Sequence, residues 1–140
     1  MNRNYKMATV AAGIVAIAGL GIGPAFAEGD FTTEIKGWLP GKESRHWNDL
    51  NTDNASTTVK FSGCKAEDSG GTNRFEYAAL QLKKERQSFP DPVVDRDNNH
   101  CNTSTFGDLS SGWYYFNYSG LNGTDTTSYH LSVNTVVVKY

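Results

Sequence analysis

Hydrophobic and polar positions divide the chain into two regimes. From Met7 to Ile22 every residue is apolar or small and none is charged. Beyond Ala27 long apolar runs disappear, and short stretches of β-branched and aromatic residues alternate with polar, turn-forming ones. Phe31 to Trp38 alternates loosely and predicts a first strand, ended by Leu39-Pro40-Gly41. Ser56 to Ser62 carries Thr58, Val59 and Phe61 and predicts a strand leading into Cys64. Trp113-Tyr114-Tyr115-Phe116-Asn117-Tyr118 is aromatic and β-prone. Alternation puts Trp113, Tyr115 and Asn117 on one face and Tyr114, Phe116 and Tyr118 on the other. One face must be core, which leaves aromatic rings on the other. Asn122-Gly123 signals a tight turn. Tyr129, Leu131 and Val133 then alternate with His130 and Ser132, and Val136-Val137-Val138 brings the chain to Tyr140.

The stretch from Arg74 to Arg86 is ambiguous. Ala78, Ala79, Leu80 and Leu82 suit a helix, whereas Phe75 and Tyr77 prefer a strand. A strand fits its neighbours better, and an edge position would account for the charged end Lys83-Lys84-Glu85-Arg86. Lys42 to Asn54 and Lys65 to Asn73 are polar and predict a loop and a turn. Pro90 and Pro92 predict a loop running to Ser111, pinned near its middle by Cys101. Short strands separated by turn signals, with no convincing amphipathic helix, argue for an antiparallel sandwich or barrel. The expected fold is all-β: a small antiparallel β-sandwich with one disulfide.

The amino-terminal regime reads as an export signal. Arg3 and Lys6 give a positive start, Pro24 ends the apolar run, and Ala25-Phe26-Ala27 supplies small residues where a signal peptidase cuts. The run is about 16 residues, short and weakly apolar for a membrane span of roughly 20. Residues 1–27 are therefore expected to be a cleaved signal peptide and 28–140 a single β domain, secreted and extracellular. All 15 acidic residues lie beyond Ala27 and two of the 13 basic ones before it, so the mature chain sets 11 basic against 15 acidic residues, a net charge of −4. No Lys/Arg cluster exceeds Lys83-Lys84, so neither nucleic acid nor an anionic membrane surface is an expected partner. Cys64 and Cys101 are the only cysteines. In an oxidising compartment they predict one disulfide, and the lack of CxxC or HxxxH spacing argues against a metal site.

Motifs for catalysis are missing: the chain holds no Gly-x-Ser-x-Gly elbow, P-loop or HExxH. His46, His100 and His130 could meet a serine and an aspartate in space, but any Ser-rich exported chain meets that condition. No enzyme activity and no cofactor are expected. Asp49-x-Asn51-x-Asp53 and Asp95-x-Asp97-x-Asn99 space oxygens as calcium loops do, yet Asn54 and His100 stand where glycine is needed, and Lys60 and Phe106 where glutamate is. Turn chemistry of Asp and Asn accounts for both. Asn54, Asn102, Asn117 and Asn122 each begin an Asn-x-Ser/Thr sequon, a frequent chance match in so polar a chain.

Recognition residues are better represented. Arg45 and Trp47 sit in a polar segment, and Trp and Arg are favoured at binding hot spots. A core role competes: Trp47 would close one end of the sandwich while Arg45 pairs with Asp49. Candidate partner-binding residues are Trp38, Arg45, Trp47, Asp49, Trp113 and Tyr115. Exposed rings on a sheet suit protein docking or sugar stacking.

The pattern Ser44-Arg45-x-Trp47-x-Asp49, Asp53, Ser56-Thr57-Thr58 and Gly63-Cys64, with Pro90-Asp91, Cys101, the Trp/Tyr-rich strand and Leu131-Ser132-Val133 to Tyr140, resembles a group of small exported bacterial β proteins. That group includes the small adaptor subunit of umbrella toxin particles, antibacterial assemblies of several proteins. The resemblance implies a non-catalytic adaptor bridging a lectin-bearing subunit to the repeat ring of a large toxin polypeptide. The leading expectation is thus a protein-binding module of a secreted assembly, docking through the Phe31–Trp38 strand, another sheet edge or its loops. A carbohydrate-binding, lectin-like domain is the first alternative. A secreted hydrolase inhibitor using Phe89 to Cys101 as a rigid insert is the second.

Overall fold

A computed structural model describes residues 28–140 except residue 69; the expected signal peptide lies outside them. Every described element is a strand: β1 (Asp30–Trp38), β2 (Trp47–Asp49), β3 (Thr58–Asp68), β4 (Gly71–Asn73), β5 (Ala78–Lys84), β6 (Val93–Asn99), β7 (Thr103–Thr105), β8 (Gly112–Leu121) and β9 (His130–Lys139). They form two antiparallel sheets. Sheet I runs β1-β9-β3, with β4 and β7 flanking the two ends of β3; sheet II runs β2-β8-β5-β6. No described helix is long and apolar enough to cross a membrane.

The sheets pack face to face because each strand sends alternate apolar side chains inward. Sheet I contributes Ile35, Val59, Phe61, Leu131, Val133, Val136 and Val138; sheet II contributes Leu80, Leu82, Tyr114, Phe116 and Tyr118. Ring contacts cross the interface: Phe61 meets Phe116 edge-on at 5.9 Å, and Phe31 lies 6.1 Å from Trp47. Besides the two register shifts of β1, alternation breaks in β3 and β9 at one shared point. Val133 and Val136 are both buried, as are Phe61 and Ala66, so β9 and β3 reverse their inward faces together at Asn134 and Gly63. Gly63 takes φ +69°, and a Cβ there would lie 2.5 Å from the Asn134 amide. Only glycine fits that crossing of two switching strands.

The expected sandwich and its disulfide are present. Cys64 on β3 bonds Cys101 in the turn between β6 and β7, where the chain passes from sheet II to sheet I. Buried Asn99 holds the same corner. Its amide nitrogen donates to the Val59 carbonyl, the Asn102 carbonyl and the Ser104 hydroxyl, and its oxygen accepts the Asn102 N–H.

Local expectations fared unevenly. The first strand, the strand into Cys64, the aromatic strand and the closing strand all form. Asn122 and Gly123 take φ of 50° and 89°, and the flanking Leu121 and Thr124 exchange both backbone hydrogen bonds, the tight turn expected. The 74–86 segment yields β5, but β5 lies inside its sheet, between β8 and β6, rather than at an edge. Three loops need correction. Gly41 to Asp49 runs as an irregular edge along β8: Gly41 and Lys42 bond to Tyr118, Ser44 to Phe116, and Trp47 pairs with Tyr114. Residues 90–111 contain β6 and β7, so the free insert expected from Phe89 to Cys101 shrinks to the turn of residues 85–92. Lys65 to Asn73 is a β3–β4 hairpin rather than a bare turn. Polar sequence misled in each case, because an edge strand needs few apolar side chains when its backbone is paired.

Candidate binding surface

β8 lies inside sheet II and divides its side chains as alternation requires. Tyr114, Phe116 and Tyr118 enter the core; Trp113, Tyr115 and Asn117 face outward. Trp113 is 51% exposed. Tyr115 is only 4% exposed because His46 stacks on its ring, centroids 4.2 Å apart and nearly parallel. His46 is itself held from both sides: Nδ1 pairs with the Glu85 carboxylate and Nε2 lies 3.4 Å from that of Glu43. The Tyr115 hydroxyl donates to Asp91 at 2.8 Å. Burial, and then that bond, push the Tyr115 pKa up. Asp91 is held below the usual carboxylate range, first by the Arg86 N–H it accepts and then by Tyr115. This network clamps the 85–92 turn against the outer face, which fixes the surface around Trp113.

That surface gathers most of the large exposed apolar side chains. Leu50 (59% exposed) follows β2, Phe89 (71%) lies in the 85–92 turn, Val94 (44%) begins β6, and Trp113 is the second residue of β8. Register places them at one end of sheet II, since Asp49 pairs with Gly112, Lys84 with Tyr114, and Lys83 with Val93. Val94 is the extra residue of a bulge in β6, because Leu82 pairs with Asp95 and the next residue, Lys83, with Val93. Four strands at the usual spacing span about 15 Å. Charges of both signs surround this end: Glu28, Glu85, Asp91 and Asp108 with Lys83, Lys84 and Arg86. Glu28 accepts the backbone N–H groups of Leu50 and Thr52, and together with Asp108 it raises the pKa of Asp49, whose principal shift comes from burial.

The six candidate residues are dispersed by the fold. Trp47 is a core residue, 2% exposed, stacked on Tyr114 and Tyr140, so its competing role as end plug is the one the structure shows. Arg45 does not pair with Asp49; its guanidinium covers the Phe31 ring at 4.7 Å. Asp49 is buried and accepts the Asn51 N–H and the Thr57 hydroxyl. Trp38 is partly buried against Phe116. Only Trp113 and Tyr115 share the outer face, and Tyr115 acts through the lid it supports. The sequence did not reveal His46, Glu85, Asp91, Leu50 or Val94 as part of this surface. Phe89 did leave a signal: a large ring between Ser88 and Pro90, in a turn, has no sheet to enter.

The two oxygen-rich motifs are occupied with structure. Asp49 and Asp53 accept the N–H groups of Asn51 and Ala55, as turn chemistry requires, and Asp95 to Asn99 lies within strand β6. Among the described residues no three His, Cys, Asp or Glu side chains group as a metal site.

Fold and surface together define a disulfide-pinned β-sandwich with one end that gathers exposed apolar side chains within a rim of both charges. Searches against known protein families, curated proteins and solved structures return no match to the chain.

Proposed function

We propose that this protein is a secreted, non-catalytic docking module, an adaptor that joins other secreted proteins through the Leu50–Phe89–Val94–Trp113 end of the sandwich. The observation that carries the reading is the collection of four large exposed apolar side chains at one end of a sheet, one of them a half-exposed tryptophan. Small monomeric domains rarely leave such a set in water, and Trp is enriched where partners bind. The sheet edges are poorer candidates. β1 carries two register shifts and the exposed Glu34–Lys36 pair, and β6 carries Asp95, Arg96 and Asp97; bulges and charges are how edges avoid pairing.

The rim carries both signs, Glu28, Glu85, Asp91 and Asp108 against Lys83, Lys84 and Arg86, which favours a partner whose contact patch is apolar with a border of mixed charge. Two of the three histidines are held in structural contacts, His46 by glutamates and His100 by the Glu76 carbonyl, which fits the non-catalytic role proposed. The disulfide is compatible with an extracellular site of action. Resemblance to the group containing the umbrella-toxin adaptor supports the same reading, and membership of an antibacterial assembly is part of the proposal.

Affinity purification of the tagged protein from the medium of producing cells tests it. The wild type is expected to bring down a stoichiometric partner, and Trp113→Ala with Phe89→Ala to lose it with an unchanged melting temperature. Recovery of bait alone, or equal capture by the variant, overturns the docking end.

A further inference from the structure

The outer face of sheet II carries a second feature, away from the Trp113 end. A concavity of about 600 Å³ lies over β5, β6 and the Cys101 corner, and a second of about 360 Å³ shares Ala79, Asn98 and Ser119 with it. The two form one trench running toward the Asn122-Gly123 turn. Its size falls in the range of small-ligand sites, but its walls are polar where such sites are usually apolar. We propose that this trench is a saccharide-binding site, taking a neutral sugar of one or two rings.

Its floor is flat because small residues line it. Ala79 faces outward between inward-pointing Ala78 and Leu80, and it pairs with Gly120 on one side and Asn98 on the other. Gly120 has no room for a side chain: a Cβ would lie 2.7 Å from the Thr124 carbonyl oxygen. The Ser119 hydroxyl is tied down to the Ala79 carbonyl. A ring can therefore lie on this floor.

Around it stand amides, which both donate and accept, and a guanidinium, which donates. Gln81 pairs with Arg96, and Asn98 with Ala79, so all four share the outer face, and Asn102 joins them from the corner. Amides and a guanidinium suit vicinal hydroxyls, which offer a donor and an acceptor at each carbon. The charges are mixed, Arg96 toward one end and Asp125 toward the other, while Asp97 alternates to the inward face with its partner Leu80. That balance disfavours phosphate, which needs concentrated positive charge, and equally a cation. Absence of deep apolar side pockets disfavours a peptide. Tyr77 and His100, 5.3 Å apart, add aromatic surface at the rim for the apolar face of a sugar.

The rim is also rigid beyond what a strand connection requires. His100 and Asn102 flank Cys101, which is disulfide-bonded, and Asn99 beside them makes four hydrogen bonds in the core. His100 is fixed by its bond to the Glu76 carbonyl. Cys101 adopts φ of 62°, an unfavourable conformation for a side-chain-bearing residue that the corner enforces. Polar groups so fixed lose little entropy on binding.

The test is an amide-resolved NMR titration of protein purified from cells expressing the full chain. The probes are methyl glycosides of glucose, galactose, mannose and N-acetylglucosamine, and the disaccharides cellobiose and chitobiose, each to ~10 mM, the range of weak single-site binding. At least one probe is expected to give saturable shifts at Ala79, Gln81, Arg96, Asn98, Asn102 and Ser119. Arg96→Ala with Asn98→Ala, both exposed and on an edge strand, should weaken that binding by about tenfold or more, as loss of charged and amide hydrogen bonds implies. Trp113→Ala should leave it intact while abolishing partner capture, which separates this site from the docking end. No saturable shift with any probe, shifts centred on Trp113, or undiminished binding by the double variant overturns the proposal.

Discussion

Asp49 and Tyr118 show what burial does to a polar side chain in this core. Burial raises the Asp49 pKa, with Glu28 and Asp108 adding to it. A raised folded-state value means that the folded protein holds more protons than the unfolded chain just above the ordinary carboxylate value of about 3.9. Stability owed to Asp49 therefore falls as pH rises through that window. Asn in its place keeps an oxygen for the Asn51 N–H and carries no charge. Asp49→Asn is expected to melt at or above the wild-type temperature at pH 7, with a flatter dependence as pH rises above the ordinary carboxylate range; thermal melts across pH check this, and a lower melting temperature at pH 7 contradicts it. The Tyr118 hydroxyl is buried with no hydrogen-bond partner among the described residues, and burial pushes its pKa up to about 12. Removing an unsatisfied buried hydroxyl recovers its desolvation cost. Tyr118→Phe should be neutral or stabilising by up to ~1 kcal/mol in urea unfolding, and a loss of more than ~1 kcal/mol would reveal a partner for the hydroxyl.

At the scale of elements, the β3–β9 pair is the structural spine. Both strands switch inward faces at Gly63 and Asn134, so neither shows a clean period of two in sequence. Gly63→Ala meets two obstacles, a left-handed φ and the Asn134 amide in the space of the new methyl. It should cost about 1–3 kcal/mol, read from the urea midpoint; unchanged stability would mean that the switch is not obligatory. Asn122 illustrates a related limit. Its place in an Asn-Gly turn is legible in the sequence, but its side chain also accepts the Glu76 and Tyr77 N–H groups and donates to the Arg74 carbonyl. Residues 46 positions apart in the chain meet there, and no local pattern announces it. β2, β6 and β7 were missed because their stability comes from backbone pairing with a partner strand rather than from their own apolar content.

For the whole molecule, the disulfide joins residues separated by 37 positions and ties the two sheets at the corner where the chain crosses between them. Closing such a loop constrains the unfolded chain by roughly 3–4 kcal/mol, a large share of the stability of a domain this small. Replacing both Cys64 and Cys101 by Ala should lower the unfolding free energy by about that amount, with a matching drop for the wild type under reductant. A change below ~1 kcal/mol would mean that Asn99 and the sheet contacts hold the corner unaided. The disulfide end and the Trp113 end then have different work: one fixes the trench, the other presents the docking side chains.

Alternation of apolar side chains, turn residues and two cysteines determined by themselves that the described chain would be an all-β sandwich with one bridge, because those signals act between near neighbours or admit a single pairing. They also identified Trp113, whose strand had to expose one face. Tertiary structure alone decided that Trp47 is core, that His46 covers Tyr115, and that Leu50, Phe89, Val94 and Trp113 share one end. Each of those outcomes depends on which strand lies beside which, and strand order is set by long-range packing that no stretch of sequence contains.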